Sequence, residues 1–255
     1  MTLTTAMLEF ETLSACPICG GTDIPGLIHI RDLGIDSAYS NCQRCGQLFL
    51  NPRMTDEQTV KYYAGMYRDG LTDNIPNFME RDTFLQQSRA AAQLPFIKAI
   101  DRHFVTHLDI GCSLGYTLDA VGVIGEGVEP DTRYHSYYPA CKFRMYGDVI
   151  RIPRGQNYDL ITLSHSLEHL NRPREFLVDL LAKHAHAETI VMVDVPNTET
   201  HRGAFRIHHP YAFTPFTLTG LFERIGWRLV KMDFYGLAQE GPERKYMLAF
   251  FKRTK

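Results

Sequence analysis

The sequence predicts an α/β fold: a largely parallel, doubly wound sheet with a small metal-stabilised unit at its amino end. Two observations carry that expectation. From residue 103 onward, apolar and β-branched strand segments alternate with helical ones, and four of the six cysteines fall in two matched C-x-x-C-G units. The chain has 255 residues, which suits one α/β domain with an appendage, since domains cluster near ~100–150 residues. Apolar residues make up 44% and charged residues 22%, an ordinary globular balance that excludes a mainly disordered or fibrous chain. The formal charge of −2 is poor for gripping a phosphate backbone, so nucleic acid is not the expected partner.

No apolar run approaches the ~18–20 residues of a membrane span, and the amino terminus lacks a basic segment followed by an apolar one. The expected location is therefore cytoplasmic and reducing, where cysteines read as thiols or metal ligands before disulfides. The two units are CPICG at Cys16 and Cys19, and CQRCG at Cys42 and Cys45. Two intervening residues let both thiolates of a pair face one tetrahedral ion, and Gly20 and Gly46 supply the positive φ that turns the chain beneath the sulfurs. Four thiolates close the coordination shell, so the expected Zn2+ is structural. Cys112 and Cys141 read as plain buried thiols.

The elements follow in order. Residues 1–50 are a lead-in and the zinc ribbon, whose core is too small to stand without the metal. Residues 51–100 are a helical connector: 51–81 show no clean period, and 82–100 read as a helix capped by Asp82 or Thr83 and kinked or broken at Pro95. Residues 101–255 form the α/β domain. HFVTHLDIG is strand then turn, SLGYTLDAVGV a helix, GEGVEPD a short strand, and YDLITLS an apolar strand. RPREFLVDLLAKHA sets Phe176, Leu177, Leu180 and Leu181 on one helical face, and ETIVMVDVPN is a buried strand. PFTLTGLFERIGW is a helix closed by Gly226, and WRLVKMDFYG pairs with ERKYMLAFFKR as a terminal antiparallel unit.

The first strand–helix turn, Asp109-Ile110-Gly111-Cys112-Ser113-Leu114-Gly115, lacks the third glycine of the dinucleotide fingerprint. A ligand without a pyrophosphate needs only room beside Gly111 and an acid to meet an ammonium group. Glu129, at the end of the next strand, stands where a carboxylate can accept both hydroxyls of a ribose, an arrangement shared by NAD and S-adenosylmethionine.

LDIGCSLGYTLDA, GVEPD, GDVIRIP and YDLITLSHSLEHL together resemble the motifs of class I S-adenosylmethionine-dependent methyltransferases, in the branch with an amino-terminal zinc ribbon. The resemblance implies a Rossmann-like, seven-stranded methyltransferase sheet. It also implies that Asp109, Gly111, Ser113 and Gly115 line the methionine end and that Glu129 binds the ribose. Pro130 and Asp131 then sit beside the nucleoside, Asp148 accepts from the adenine amino group, and Val149 supplies a backbone contact. Ser164 and His165 lie at the far side of the methyl donor, and Ser113 replaces the glycine commonest at its position.

Methyl transfer to a hydroxyl calls for a base, and histidine is suited to it near neutral pH. His184 and His186 read as surface residues at a helix end, and His107 has no constellation around it. Two clusters remain. His165, Glu168 and His169 follow the fourth strand. Glu168-His169 is similar to a pair that takes part in divalent metal binding in ubiquinone-biosynthesis O-methyltransferases. With no acidic partner cluster evident, the pair is read here as fixing the loop that shapes the pocket. The second cluster, FRIHHPYAFTPFTL, resembles the stretch around the general base of zinc-ribbon sugar methyltransferases, and alignment on Phe213-Thr214 selects His209 over His208. Sugar C-methylating relatives have glutamate where this chain has His208, which favours an O-methyl acceptor. The expected function is methylation of a sugar or other small hydroxylated metabolite. The alternatives are a zinc-ribbon RNA methyltransferase, with Arg44 and Arg53 as its footprint, or a non-catalytic module that keeps the fold.

Overall fold

The computed structural model describes residues 8–66, 78–238 and 243–254. Its main sheet has seven strands. They are β6 (Thr106–Ile110), β7 (Ile124–Val128), β8 (Arg144–Tyr146), β9 (Tyr158–Ser164), β10 (Ala185–Pro196), β12 (Trp227–Tyr235) and β13 (Tyr246–Arg253), in the order β12-β13-β10-β9-β6-β7-β8. Strands β6 to β10 run parallel, and β13 is antiparallel to both β10 and β12. The central strands read as continuous apolar runs because both faces are covered: Leu160, Ile161 and Leu163 of β9 and Val191 to Val193 of β10 have essentially no exposure.

Helix α2 (Phe78–Lys98) precedes the sheet, and α3 (Tyr116–Val121), α4 (Pro173–His184) and α5 (Pro215–Glu223) follow β6, β9 and the short strand β11 (Tyr211–Ala212). The α2 helix differs from expectation at both landmarks. It is already helical at Phe78, so neither Asp82 nor Thr83 caps it, and it runs through Pro95 to Lys98. Gln86 donates to the Asp82 carboxylate one turn away at 2.8 Å, an interior pairing rather than a cap. Thr214 and Thr217 form a reciprocal capping box on α5, and Pro215 occupies the first turn, where it sacrifices no hydrogen bond.

The ribbon is built on a second, four-stranded sheet. Strands β2 (Gly26–Asp32) and β3 (Ile35–Asn41) form the excursion between the cysteine pairs, and β4 (Leu48–Leu50) returns beside β3. The fourth strand, β11 (Tyr211–Ala212), comes from the α/β part of the chain and pairs Tyr211 with Phe49 and Ala212 with Leu48. The ribbon is therefore fused to the core: Cys16, Ile18, Cys42 and Cys45 share one buried cluster with Phe213, Leu218 and Leu221. Two further short strands, β1 (Phe10–Glu11) and β5 (Arg53–Met54), pair with each other, and α1 (Asp56–Lys61) leads into a π-turn at Tyr62–Met66. No helix among the described residues is long and apolar enough to cross a membrane.

Candidate active site

In an open parallel sheet the ligand crevice lies at the carboxyl ends of the strands, where the strand order reverses. Here that point falls between β6 and β9. A cavity of about 900 Å³ opens there, within the range of small-ligand sites.

One wall is the glycine turn. Gly111 and Gly115 have φ of 72° and 78°, and Ser113 is also left-handed at 46°. The Glu129 carboxylate is buried, and its two oxygens accept from Ser113 N at 3.0 Å and Asp131 N at 2.9 Å. These backbone bonds fix the carboxylate at the end of β7, facing the cavity. Asp109 is also buried and accepts from Thr162 Oγ1 at 2.6 Å, and burial pushes its carboxyl up to about 7. Pro130, Asp131, Asp148 and Val149 continue this wall, with Asp148 exposed at the rim and accepting from Ile150 N. Gly111 differs from expectation in one respect. A Cβ there would overlap the Ser166 hydroxyl, so its lack of a side chain makes room for protein, not for ligand.

Ser164, His165, Glu168, His169, His208 and His209 line the opposite wall. His165, just past β9, has φ 51°. The β11 segment and the preceding loop bring in His208 and His209, whose rings meet edge to face at 4.7 Å, with His209 4.8 Å from the His169 ring. Burial holds His165, His208 and His209 well below the usual histidine range, so all three imidazoles are neutral. His209 Nδ1 donates to the Ala204 carbonyl at 3.0 Å, which leaves Nε2 as the atom that can receive a proton or hold a ligand. Burial raises the Glu168 carboxyl to about 8, and among the described residues no other group is hydrogen-bonded to either of its oxygens.

The ribbon clamps this wall. Tyr39 of β3 donates to His209 O at 2.6 Å and accepts from Arg206 N, and Asp32 accepts from Ile207 N. Arg53 donates to Asn171 O beside the Glu168 turn, and Tyr63 OH reaches both His169 Nδ1 and His208 O.

Several site residues escape a reading by motif. Asp82, Gln86, Arg89 and Gln93 occupy one face of α2. All but Gln93 line the cavity, and Gln93 donates to Ser164 Oγ and to the wholly buried Asp194. Gln86 bonds Ser113 Oγ and Leu114 N, so the helix pins the glycine turn. Their spacing of four, three and four is the signal that could have found them. Three other expectations fail. His107 belongs to a buried chain through Thr162 to Asp109, His184 is buried and bonded to Gln156 O rather than on the surface, and Cys141 is exposed.

The four ribbon thiols fit a metal ion. All four Sγ atoms lie within 4.8 Å of one another, with Cys16–Cys45 at 3.7 Å and Cys19–Cys42 at 3.5 Å. A tetrahedral site with ~2.3 Å zinc–sulfur bonds needs sulfurs about 3.8 Å apart.

No curated protein matches the sequence. A family model described as a methyltransferase domain matches residues 79–232, more than half of the chain. Among solved structures, a SAM-dependent methyltransferase from Archaeoglobus fulgidus is 20% identical. The match covers 69% of this chain and 99% of that one, with a TM-score of 0.56. Magnesium protoporphyrin IX methyltransferase from Synechocystis PCC 6803, with bound SAH, is 12% identical over 78% of this chain and 100% of that one, with a TM-score of 0.54. A glycopeptide N-methyltransferase complexed with S-adenosyl-L-methionine is 11% identical over 66% and 94%, with a TM-score of 0.53. The chain belongs to the methyltransferase-domain family and has the class I fold of S-adenosylmethionine-dependent methyltransferases.

Proposed function

We propose that this methyltransferase carries a methyl group from S-adenosylmethionine to a hydroxyl of a sugar or another small hydroxylated metabolite, and that Cys16, Cys19, Cys42 and Cys45 hold a structural Zn2+. The observation that carries the reading is the two-sided cavity. A glycine turn with a buried acid at each end, Asp109 and Glu129, faces a wall of neutral histidines. The cofactor would supply an electrophilic methyl group on a sulfonium. On the chain's side, Glu129 accepts the ribose hydroxyls, Asp109 meets the ammonium group, and Asp148 and Val149 hold the adenine at the rim. Gly111, Ser113 and Gly115 give the turn its shape, and Pro130 and Asp131 flank the nucleoside. Ser164 and His165 stand where the methyl group is delivered. His209 is neutral with Nε2 turned away from its carbonyl partner, so it deals with the acceptor proton, and His208 and His169 set its surroundings. Alignment supplies most of the rate in such a displacement, and a positioned proton acceptor adds ~10²–10⁴-fold.

The test is a panel of sugars and hydroxylated metabolites scored for conversion of S-adenosylmethionine to S-adenosylhomocysteine. Turnover confined to hydroxyl acceptors and cut ~10²-fold by His209→Asn supports the reading. Turnover only on amines, or on RNA, overturns it.

A further inference from the structure

A base needs one imidazole, yet the acceptor wall holds a carboxylate that this role does not use. Glu168 has 1% exposure, and among the described residues no other side chain or backbone group is hydrogen-bonded to its oxygens. Its neighbours are His165 Nδ1 at 3.4 Å and His169 Nε2 at 3.9 Å from the same oxygen. Loop fixing needs bonds from the acid to the loop it holds, and these contacts with two histidines point the Glu168 side chain toward the cavity instead. A buried carboxyl with so few polar contacts costs a few kcal/mol even when protonated, and such a group is kept where something else completes it.

What completes it is set by the atoms that converge there. Glu168, His169 and His209 each offer a ligand atom, and these atoms lie within 4.8 Å of one another. The two histidines are prepared in the same way. His169 Nδ1 is engaged by Tyr63 OH at 2.6 Å and stands 3.0 Å from the His208 carbonyl, and His209 Nδ1 is fixed by the Ala204 carbonyl. Anchoring one ring nitrogen on a carbonyl or hydroxyl, so that the tautomer and ring plane are set, is how proteins hold metal-ligating imidazoles. Two histidines and one carboxylate on a cavity wall leave further coordination positions open, the arrangement suited to a first-row divalent ion.

We propose that Glu168, His169 and His209 hold a divalent transition-metal ion in the acceptor pocket. Ligands about 2.1 Å from one ion stand about 3.0–3.4 Å apart, so a pair at the 4.8 Å limit closes by roughly 1.5–2 Å, a movement within reach of side-chain torsions. The third ligand comes from the loop clamped by Tyr39 and Asp32, so the ribbon sets the geometry of the site. The role of the ion rests on the methyl-transfer reading: an acceptor hydroxyl bound at an open position is acidified, so His209 promotes loss of the acceptor proton through the ion it holds, and acts as a direct base only where the site is metal-free. Binding of the ion does not depend on that reading.

The experiment is titration of the full-length protein with Mn2+, followed by loss of the aqueous Mn2+ electron-paramagnetic-resonance signal, after metal analysis has counted the zinc already bound. The expected result is one Mn2+ per chain with the ribbon zinc retained. Glu168→Gln and His209→Asn should each weaken it by at least ~10–100-fold. S-adenosylmethionine titrations on the same samples establish that each variant is folded. Absence of Mn2+ binding at millimolar metal, or binding unchanged in both folded variants, overturns the ion site and returns His209 to the part of a metal-free base. Failure of S-adenosylmethionine to bind the wild-type protein overturns the methyl-transfer reading instead, while the Mn2+ result still decides the ion.

Discussion

Replacing Gly111 with alanine separates two reasons for a glycine in this turn. If the position is bare to admit a ligand, the substitution damages cofactor affinity and leaves stability alone. The structure says otherwise. An added Cβ overlaps Ser166 Oγ and comes within 3.0 Å of Ser166 Cβ, on a backbone with φ of 72°. The left-handed conformation costs a non-glycine residue ~1–2 kcal/mol, and overfilling a packed site costs ~1–3 more, so Gly111→Ala should destabilise the fold by about 2–5 kcal/mol. Ser166→Gly removes both colliding atoms and gives up the hydrogen bond from Ser166 Oγ to Ile110 O. In that background only the backbone term survives, ~1–2 kcal/mol, and the coupling energy of the cycle should be ~1–3 kcal/mol in favour of the double variant. Urea unfolding followed by the fluorescence of the single tryptophan, the buried Trp227, measures all four proteins. Equal costs of Gly111→Ala in the two backgrounds, or a variant of unchanged stability that has lost only its cofactor, would refute the steric argument.

Three more outcomes follow from the same geometry. Cys42→Ser should lose the ribbon metal by elemental analysis and lower the melting temperature of the whole chain in one transition, because Cys42 shares its cluster with Phe213 and Leu218; a separate early transition would contradict the fused core. Asp109→Asn should be more stable than wild type by an amount that grows from pH ~4 to ~7 and is flat above. The folded carboxyl titrates near 7 against 3.8 in the unfolded chain, so the native protein binds the extra proton and wild-type stability falls as pH rises through that window. Melts across that range check it, and a gain at pH 4 equal to that at pH 7 would contradict it. Tyr39→Phe should cost about 1–3 kcal/mol, since it removes the buried hydroxyl that donates to His209 O and accepts from Arg206 N, readable as a melting-temperature loss of several degrees.

The parts of the molecule that depend on neighbours in sequence were legible from it. Each cysteine knuckle and each strand run from β6 to β10 declares itself within a dozen residues, and the glycine turn meets Glu129 within about twenty. What escaped depends on neighbours in space. A helix face carrying Asp82, Gln86, Arg89 and Gln93 has the same polarity whether it meets water or a cavity, and only packing shows that Gln86 seats on Ser113. His184 lies at a helix end, as a dipole-stabilised surface residue would, but the Gln156 carbonyl and surrounding core claim it. Strand β11 is two residues long, too short for any periodicity, and exists because β4 offers it an edge. The Glu168 carboxylate looked like a loop anchor because sequence cannot show that a buried oxygen has nothing to bond.

The pairing of β11 with β4 also orders events in time. The ribbon opens the chain, but the bond from Gln47 to the Ala212 carbonyl spans 165 residues, and the Tyr39 clamp on His209 spans 170. A chain emerging from the ribosome can close its four thiolates on a metal early, yet it keeps an open edge on β4 until Tyr211 and Ala212, beyond the first five strands of the main sheet, have been made. Contacts of such sequence separation form late and slowly. The acceptor wall, assembled across that closure, should therefore mature late, and an unclosed β4 is the edge through which a nascent chain would pair with another copy of itself.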